Sequence, residues 1–209
     1  MRIPPNIRTI SVLDFEFTTR GGNRPVSVVI REQDLRSRIH TKPEFIKIWR
    51  PKRNSPTPYA FGKDDLLVTF FAEADYWCID YLGWKLPPNH FDCYVENRNL
   101  FNGLLPKQPK KIWGLEETAN RLRIQTDYLS SDKSDLTKRI GRGEFEESER
   151  ENILRYNKAD VVVTYKLFLK LLEFIDEDKT LDNDRYWRQA LLRGSQAAAF
   201  GKIASTGIP

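Results

Sequence analysis

The sequence predicts an α/β fold in which a mixed sheet is flanked by helices. Three observations carry this expectation. Two alternating apolar stretches, 8–19 and 24–32, are separated by Gly21, Gly22 and Asn23, the composition of a hairpin turn. A continuous apolar run, DLLVTFF (65–71), has the length of a buried central strand and leads into a helical pattern and then another short strand. The second half of the chain is helical in pattern, so strands precede helices with at least one strand–helix–strand crossing.

Each element follows in order. Val26, Val28 and Ile30 alternate through the second strand, and EFIKIWR (44–50) reads as a third, followed by a Pro-rich loop. After 65–71, residues 73–84 read as a helix ending near Gly83. HFDCYVENRNLF (90–101) reads as a short strand running into a helix. Leu115, Ala119 and Leu122 share one side of a helix predicted over 112–125. The polar stretch 130–145 predicts a loop or short helix. A long helix is expected over 148–175, with Ser148 and Glu151 as a capping box. The acidic run 176–184 marks a boundary before a last helix, 185–205, rich in small residues.

The chain has 209 residues, 40% of them hydrophobic, which supplies a core and excludes disorder over most of its length. Its net charge of +5 fits a polyanionic partner, and basic clusters occur at Arg50–Arg53 and Pro106–Lys111, although a solvated surface is the favoured reading of such clusters. Two cysteines, Cys78 and Cys93, lie in apolar surroundings without metal-binding spacing and read as core residues of a reduced, intracellular protein. No signal peptide or membrane span is apparent, so a soluble protein with no membrane partner is expected.

The residues with chemical potential are acids. Asp14 and Glu16 stand inside the apolar strand TISVLDFEFT, where an unpaired carboxylate costs several kcal/mol. A strand has a side-chain period of two, so both project from one face. Glu144/Glu146, Asp176/Asp178 and Asp182/Asp184 share the spacing but lie in polar runs. Asp75 follows the buried strand at a helix start, on the edge of an α/β sheet where ligand sites collect. Tyr156 and Asp160 are four apart on the long helix and share a face. Taken singly, these are also compatible with a solvent-reaching strand end, favourable charges at a helix N-terminus and a helix residue at the core margin. Together, four acids from three segments, without His or Cys, suit hard divalent ions such as Mg²⁺ or Mn²⁺.

LDFEF, FFAEADYWCIDYLGWKLPPNHFDCYVENR and RYNKADVVVTYKL resemble, in that order, the three motifs of the 3′–5′ proofreading exonuclease domain of family A DNA polymerases. That domain belongs to the DEDD superfamily, and the third motif marks its tyrosine subtype. The likeness spans about residues 9–175 and is strongest to phage and prophage versions. It implies a ribonuclease H-like fold, an exonuclease domain over 1–180, and a helical segment over 181–209 leading toward a polymerase module. It implies two-metal-ion hydrolysis of the 3′-terminal phosphodiester of DNA, releasing 5′-mononucleotides during proofreading in replication. Asp14, Glu16 and Asp160 would hold one Mg²⁺ or Mn²⁺ ion. Asp14 would bridge to a second, with Asp75 acting through its waters, and Tyr156 would orient the attacking water. The partner would be a single-stranded or frayed DNA 3′-end, in the cytoplasm of a bacterial or phage-infected cell, near the nucleoid.

Two positions depart from the family pattern. Phe71 stands where an Asn is usual, four residues before Asp75, and Phe17 stands where a Thr is common. Asp92 is an alternative second-motif acid. A ribonuclease D-type RNA exonuclease, and a non-catalytic domain that binds nucleic acid or braces a polymerase, remain alternatives.

Overall fold

The computed structural model describes residues 3–20, 24–36, 43–104, 110–126, 130–177 and 182–206. Five strands, β1 (Thr9–Thr18), β2 (Arg24–Asp34), β3 (Glu44–Trp49), β4 (Asp65–Thr69) and β5 (Asn89–Asp92), form one sheet in the order β3-β2-β1-β4-β5. β1 pairs antiparallel with β2, and β2 with β3; β1 pairs parallel with β4, and β4 with β5. The expected mixed sheet is therefore present. The first hairpin pairs as far as Thr18 opposite Arg24, and its turn residues 21–23 lie outside the described residues.

Among the described residues six α-helices join the sheet: α1 (Ala72–Leu82), α2 (Cys93–Phe101), α3 (Leu115–Arg121), α4 (Ser130–Arg142), α5 (Arg150–Glu177) and α6 (Asn183–Thr206). Gly83 ends α1 in the left-handed region, as its position predicts. Several boundaries differ from expectation. β4 stops at Thr69 because Phe71 takes φ 71°, which breaks the ladder and starts α1. α3 is preceded by a 3-10 turn, Lys110–Trp113, and is shorter than the periodicity suggests. The stretch expected as loop or short helix contains the 13-residue α4, whose Leu136 and Ile140 are buried with Val26 and Ile153. The capping box is Glu146 with Glu149, not Ser148 with Glu151. The Glu149 carboxylate accepts the Glu146 amide at 3.0 Å and is also held by Arg139 at 2.7 and 2.8 Å.

Alternation along β1 divides the interior. Ile10 and Val12 pack with Leu154, Val161, Leu167 and Leu171 of α5. Leu13 and Phe15 point the other way and pack with Cys78, Ile79 and Leu82 of α1 and with Trp84. Each such buried side chain contributes about 1.5–3 kcal/mol. Both cysteines are buried, and burial pushes both thiols well above their ordinary pKa, in keeping with core roles.

α6 packs against α1 and β5. Its Arg193 grips Glu96 of α2 through two hydrogen bonds of 2.7 and 2.8 Å, and Tyr186 donates to the same carboxylate at 2.5 Å. Close approach is possible because α6 carries glycines at the contacts. A β-carbon on Gly201 would meet the Glu73 carbonyl oxygen at 2.7 Å, and one on Gly194 would collide with the His90 carbonyl. Ala normally stabilises a helix interior by about 1 kcal/mol over Gly. Here the sign reverses: Gly194→Ala is expected to lower stability by roughly 1–3 kcal/mol through overpacking, read as a fall in the urea midpoint. A rise in the midpoint would refute this packing.

Candidate metal centre

The structure brings Asp14, Glu16 and Asp160 together. One carboxylate oxygen from each lies within 4.8 Å of the other two. Their convergence follows from two periodicities. Asp14 and Glu16 continue the row of Ile10 and Val12, the row that faces α5. On α5, Asp160 belongs to the buried stripe of Ile153, Asn157, Thr164 and Leu167 that packs on the sheet. Parallel pairing of β1 with β4 ends at Val12 and Val68, so both acids project beyond it, at the carboxyl edge of the parallel strands. The register then slips between Glu16 and Phe17, a bulge that ends regular pairing just after the second acid.

Asp75 arrives from the opposite face, in the first turn of α1. It is outside the three-acid set but within its field. Burial pushes its carboxyl well above the usual range, and the charges of Asp14, Asp92 and Glu16 push the same way, against a hydrogen bond from the Phe15 amide. Glu16 is 8% exposed, Asp160 6% and Asp75 3%. Asp75 is thereby pushed toward its neutral form unless a cation offsets the negative charge around it. The Oδ2 atom of Asp75 is buried and lacks a protein partner. These features fit one or more hard divalent ions: the donors are all carboxylate oxygens, and the site pushes against its own negative charge.

Tyr156 stands one helical turn before Asp160, half-buried. Burial, followed by the charges of Asp160 and Glu16, pushes its phenol above the ordinary value, so it keeps its proton at neutral pH. Its hydroxyl lies 3.2 Å from Thr137 Oγ1 on α4. The polar residues around the acids had no sequence signal beyond their type. Thr137 lies in a stretch read as loop or short helix. Asn157 looks like any polar helix residue, yet it is fully buried and donates to Ser27 Oγ at 3.2 Å. Ser27 in turn lies opposite Glu16 in the β1–β2 ladder.

Asp92, the alternative acid, has both oxygens engaged by backbone. Its Oδ1 accepts the amides of Phe71, Tyr94 and Val95 at 3.3, 2.8 and 3.2 Å, and its Oδ2 accepts that of Ala72 at 2.7 Å. It ties the starts of α1 and α2 together. Phe71 is held in the left-handed region, a backbone that costs a bulky residue roughly 1–2 kcal/mol and that Asn tolerates far better. Its ring is 39% exposed; Phe15 is core and Phe17 is half-buried. Of the basic clusters, Arg50 meets Glu147 at 3.5 Å on the surface, and residues 106–109 lie outside the described residues.

Behind Asp75 a small cavity leaves about 10 Å³ to a water-sized sphere, lined by Leu67, Thr69, Tyr76, His90 and Ala198 among others. His90 Nε2 is buried there without a partner, and burial lowers the ring's pKa to about 4, so it is neutral at pH 7.

Among solved structures, the chain matches one described as the apo form of a nuclease, with a TM-score of 0.61 and 14% identity, over 95% of this chain and 85% of that one. It also matches E. coli ExoI in a zinc-bound complex with single-stranded DNA, with a TM-score of 0.35 and 11% identity, over 80% of this chain and 41% of that one. No family model and no curated protein matches the chain. The first likeness bears out the fold: a mixed five-stranded sheet flanked by helices, consistent with the ribonuclease H-like arrangement expected from the sequence. Among the described residues, no helix is long and apolar enough to cross a membrane.

Two outcomes are expected. Mn²⁺ at about 100 times its dissociation constant should stabilise the protein by about 2.7 kcal/mol, seen as a rise in Tm that the Asp14→Asn/Glu16→Gln variant loses; an unchanged Tm in the parent chain would exclude a metal site. His90 has a folded pKa of about 4 against 6.5 unfolded, so the unfolded state binds the extra proton between those values. Stability should therefore fall as pH drops from 6.5 to about 4, by about 3 kcal/mol. Urea titrations of His90→Gln should lack that part of the slope.

Proposed function

We propose that the chain is a divalent-metal-dependent 3′–5′ exonuclease acting on DNA ends, and the proofreading part of a family A-type polymerase. The observation that carries this reading is the convergence of Asp14 and Glu16 from β1 with Asp160 from α5, with Asp75 beside them. The motif order supports it, as does a fold shared with a nuclease. Residues 1–180 would form the exonuclease domain and 181–209 would lead toward the polymerase module, in the cytoplasm of a bacterial or phage-infected cell. The partner is a single-stranded or frayed 3′-end.

Asp14, Glu16 and Asp160 would hold one Mg²⁺ or Mn²⁺ ion, and Asp14 with Asp75 would help to hold a second. When bound, such ions polarise the phosphoryl oxygens, lower the pKa of a bound water and stabilise the leaving 3′-oxygen. The protein's own residues do the placing. The bulged end of β1 and the buried stripe of α5 fix three carboxylates from two rigid elements, so little reorganisation accompanies reaction. Tyr156 keeps its proton and orients water by hydrogen bonding rather than by accepting a proton. Thr137 restrains the Tyr156 hydroxyl from α4.

Release of 5′-mononucleotides from a 3′-end-labelled single strand, with Mn²⁺, tests the reading. Asp14→Asn/Glu16→Gln should lower the rate about 10³-fold or more. Tyr156→Phe should lower kcat by about 10²-fold, the effect of a misplaced reactant. Unchanged release in the double variant would overturn the site assignment. A parallel series on RNA ends separates the ribonuclease D-type reading. No hydrolysis and no Mn²⁺ binding by a folded chain would favour the non-catalytic reading, for which Phe71 and Phe17, the departures from the family pattern, are the supporting feature.

A further inference from the structure

A row of rings and guanidinium groups starts beside the acids and runs along α2. The Phe71 ring packs edge-on to Tyr94, with centroids 5.1 Å apart. The Arg98 guanidinium lies 5.6 Å from the Tyr94 ring and 5.8 Å from that of Trp113. The Arg121 guanidinium also lies near the Trp113 ring, 5.5 Å from its centroid. Tyr94 and Arg98 are four apart on α2 and share its face.

The row is not core. Phe71 and Arg98 are exposed, and Tyr94 and Trp113 are half-buried. Nor is it a chance surface cluster. Asp92 holds the amides of both Phe71 and Tyr94, which fixes the two rings relative to each other. Phe71 directly precedes α1, whose first turn carries Asp75, so the row begins next to the acid cluster. Arg121 donates to the Ile112 carbonyl at 2.8 Å and to Asn97 Oδ1 at 2.9 Å, so the distal end is built into the fold. Arg98 has no carboxylate partner among the described residues, which leaves its donors to a ligand. A phenylalanine held in the left-handed region and still exposed gains the core little; its exposed face suits a planar ligand.

We propose that this row is the track for the single-stranded segment leading to the acids. Bases stack on Phe71, Tyr94 and Trp113, and Arg98 takes a backbone phosphate. π-faces alternating with guanidinium groups match a single-stranded polynucleotide, whose bases and phosphates alternate likewise. The inference rests on the exonuclease reading and names how that site would hold the strand behind the scissile bond.

Fluorescence anisotropy of a labelled oligothymidylate, bound by the Asp14→Asn/Glu16→Gln chain in EDTA, tests the track without turnover. Tyr94→Leu and Trp113→Leu should each weaken binding roughly 5- to 100-fold, the range for one stacked base, while Tyr94→Phe should not. Arg98→Gln should reduce the salt slope by about 0.7, one phosphate on a single strand. An abasic oligonucleotide with the same phosphates should bind the parent chain as weakly as oligothymidylate binds Tyr94→Leu. Equal binding of abasic and normal strands, or affinities unchanged by all three substitutions, would overturn the track. Should Tyr94→Leu fail to fold by circular dichroism, Trp113→Leu and Arg98→Gln decide alone. An oligouridylate arm separates the two sugars: comparable affinity supports a track that reads bases and phosphates only. Binding that follows the row in a chain without hydrolysis would sink the catalytic reading and keep the track. Intact hydrolysis with no effect of the row would do the reverse.

Discussion

Everything at the candidate site depends on the two-residue period of β1. The row that buries Ile10 and Val12 under α5 continues, without a change of face, into Asp14 and Glu16. α5 answers in kind, because the stripe that buries Ile153, Val161 and Leu167 also contains Asp160. The acids are thus aimed by the same contacts that stabilise the fold. A slip of one residue in β1 would turn the acids toward α1 and the core residues of both faces out of place. Packing therefore fixes the register, and the register fixes the acids. The cost is several kcal/mol for each buried carboxylate, which protons or divalent ions must offset.

The fourth acid obeys a different constraint. α1 lies on the other side of β1, against Leu13 and Phe15, so Asp75 reaches the cluster only at the strand end, where the parallel ladder has stopped. That placement requires a sharp exit from β4. Phe71 provides it at the expense of a strained φ, and Asp92 secures it with four backbone hydrogen bonds shared between the starts of α1 and α2. Asp92 resembles a site acid in sequence, yet its oxygens are occupied by the chain itself. Asp75 has a buried oxygen that the chain leaves unpartnered. The difference between the two acids is therefore one of hydrogen-bond supply, not of residue type.

Much of this was legible because it rests on local periodicity. Alternation revealed β1 and β2, a short apolar run revealed β4, and Gly83 ended α1 where expected. The acids stood out because they interrupt apolar runs, and the structure places three of them in one set with the fourth alongside. What escaped depends on tertiary contact. α4 has few apolar residues, and Leu136 and Ile140 find burial only against Val26 and Ile153, which are remote in sequence. Thr137 and Asn157 gain their roles from neighbours that the chain brings near by folding. A left-handed phenylalanine at position 71 runs against its intrinsic preference, so no propensity argument could have found it.

α6 bears on the site from behind. Its Ala198 lines the cavity that also exposes Asp75 and His90, and its glycines let it settle against the His90 carbonyl and the first turn of α1. The Glu96–Arg193 pair and the Tyr186 hydroxyl anchor it through a fully buried carboxylate, where loss of one partner costs roughly 3–5 kcal/mol. Burial is the largest of the influences that raise the Asp75 carboxyl, and α6 contributes to that burial through Ala198. A side chain pressed from behind by α6 and faced by like charges in front has one favourable way to ionise, which is toward a cation in the cluster. The docking of the last helix is in this sense part of the electrostatics of the first strand's acids, although the two lie near opposite ends of the chain.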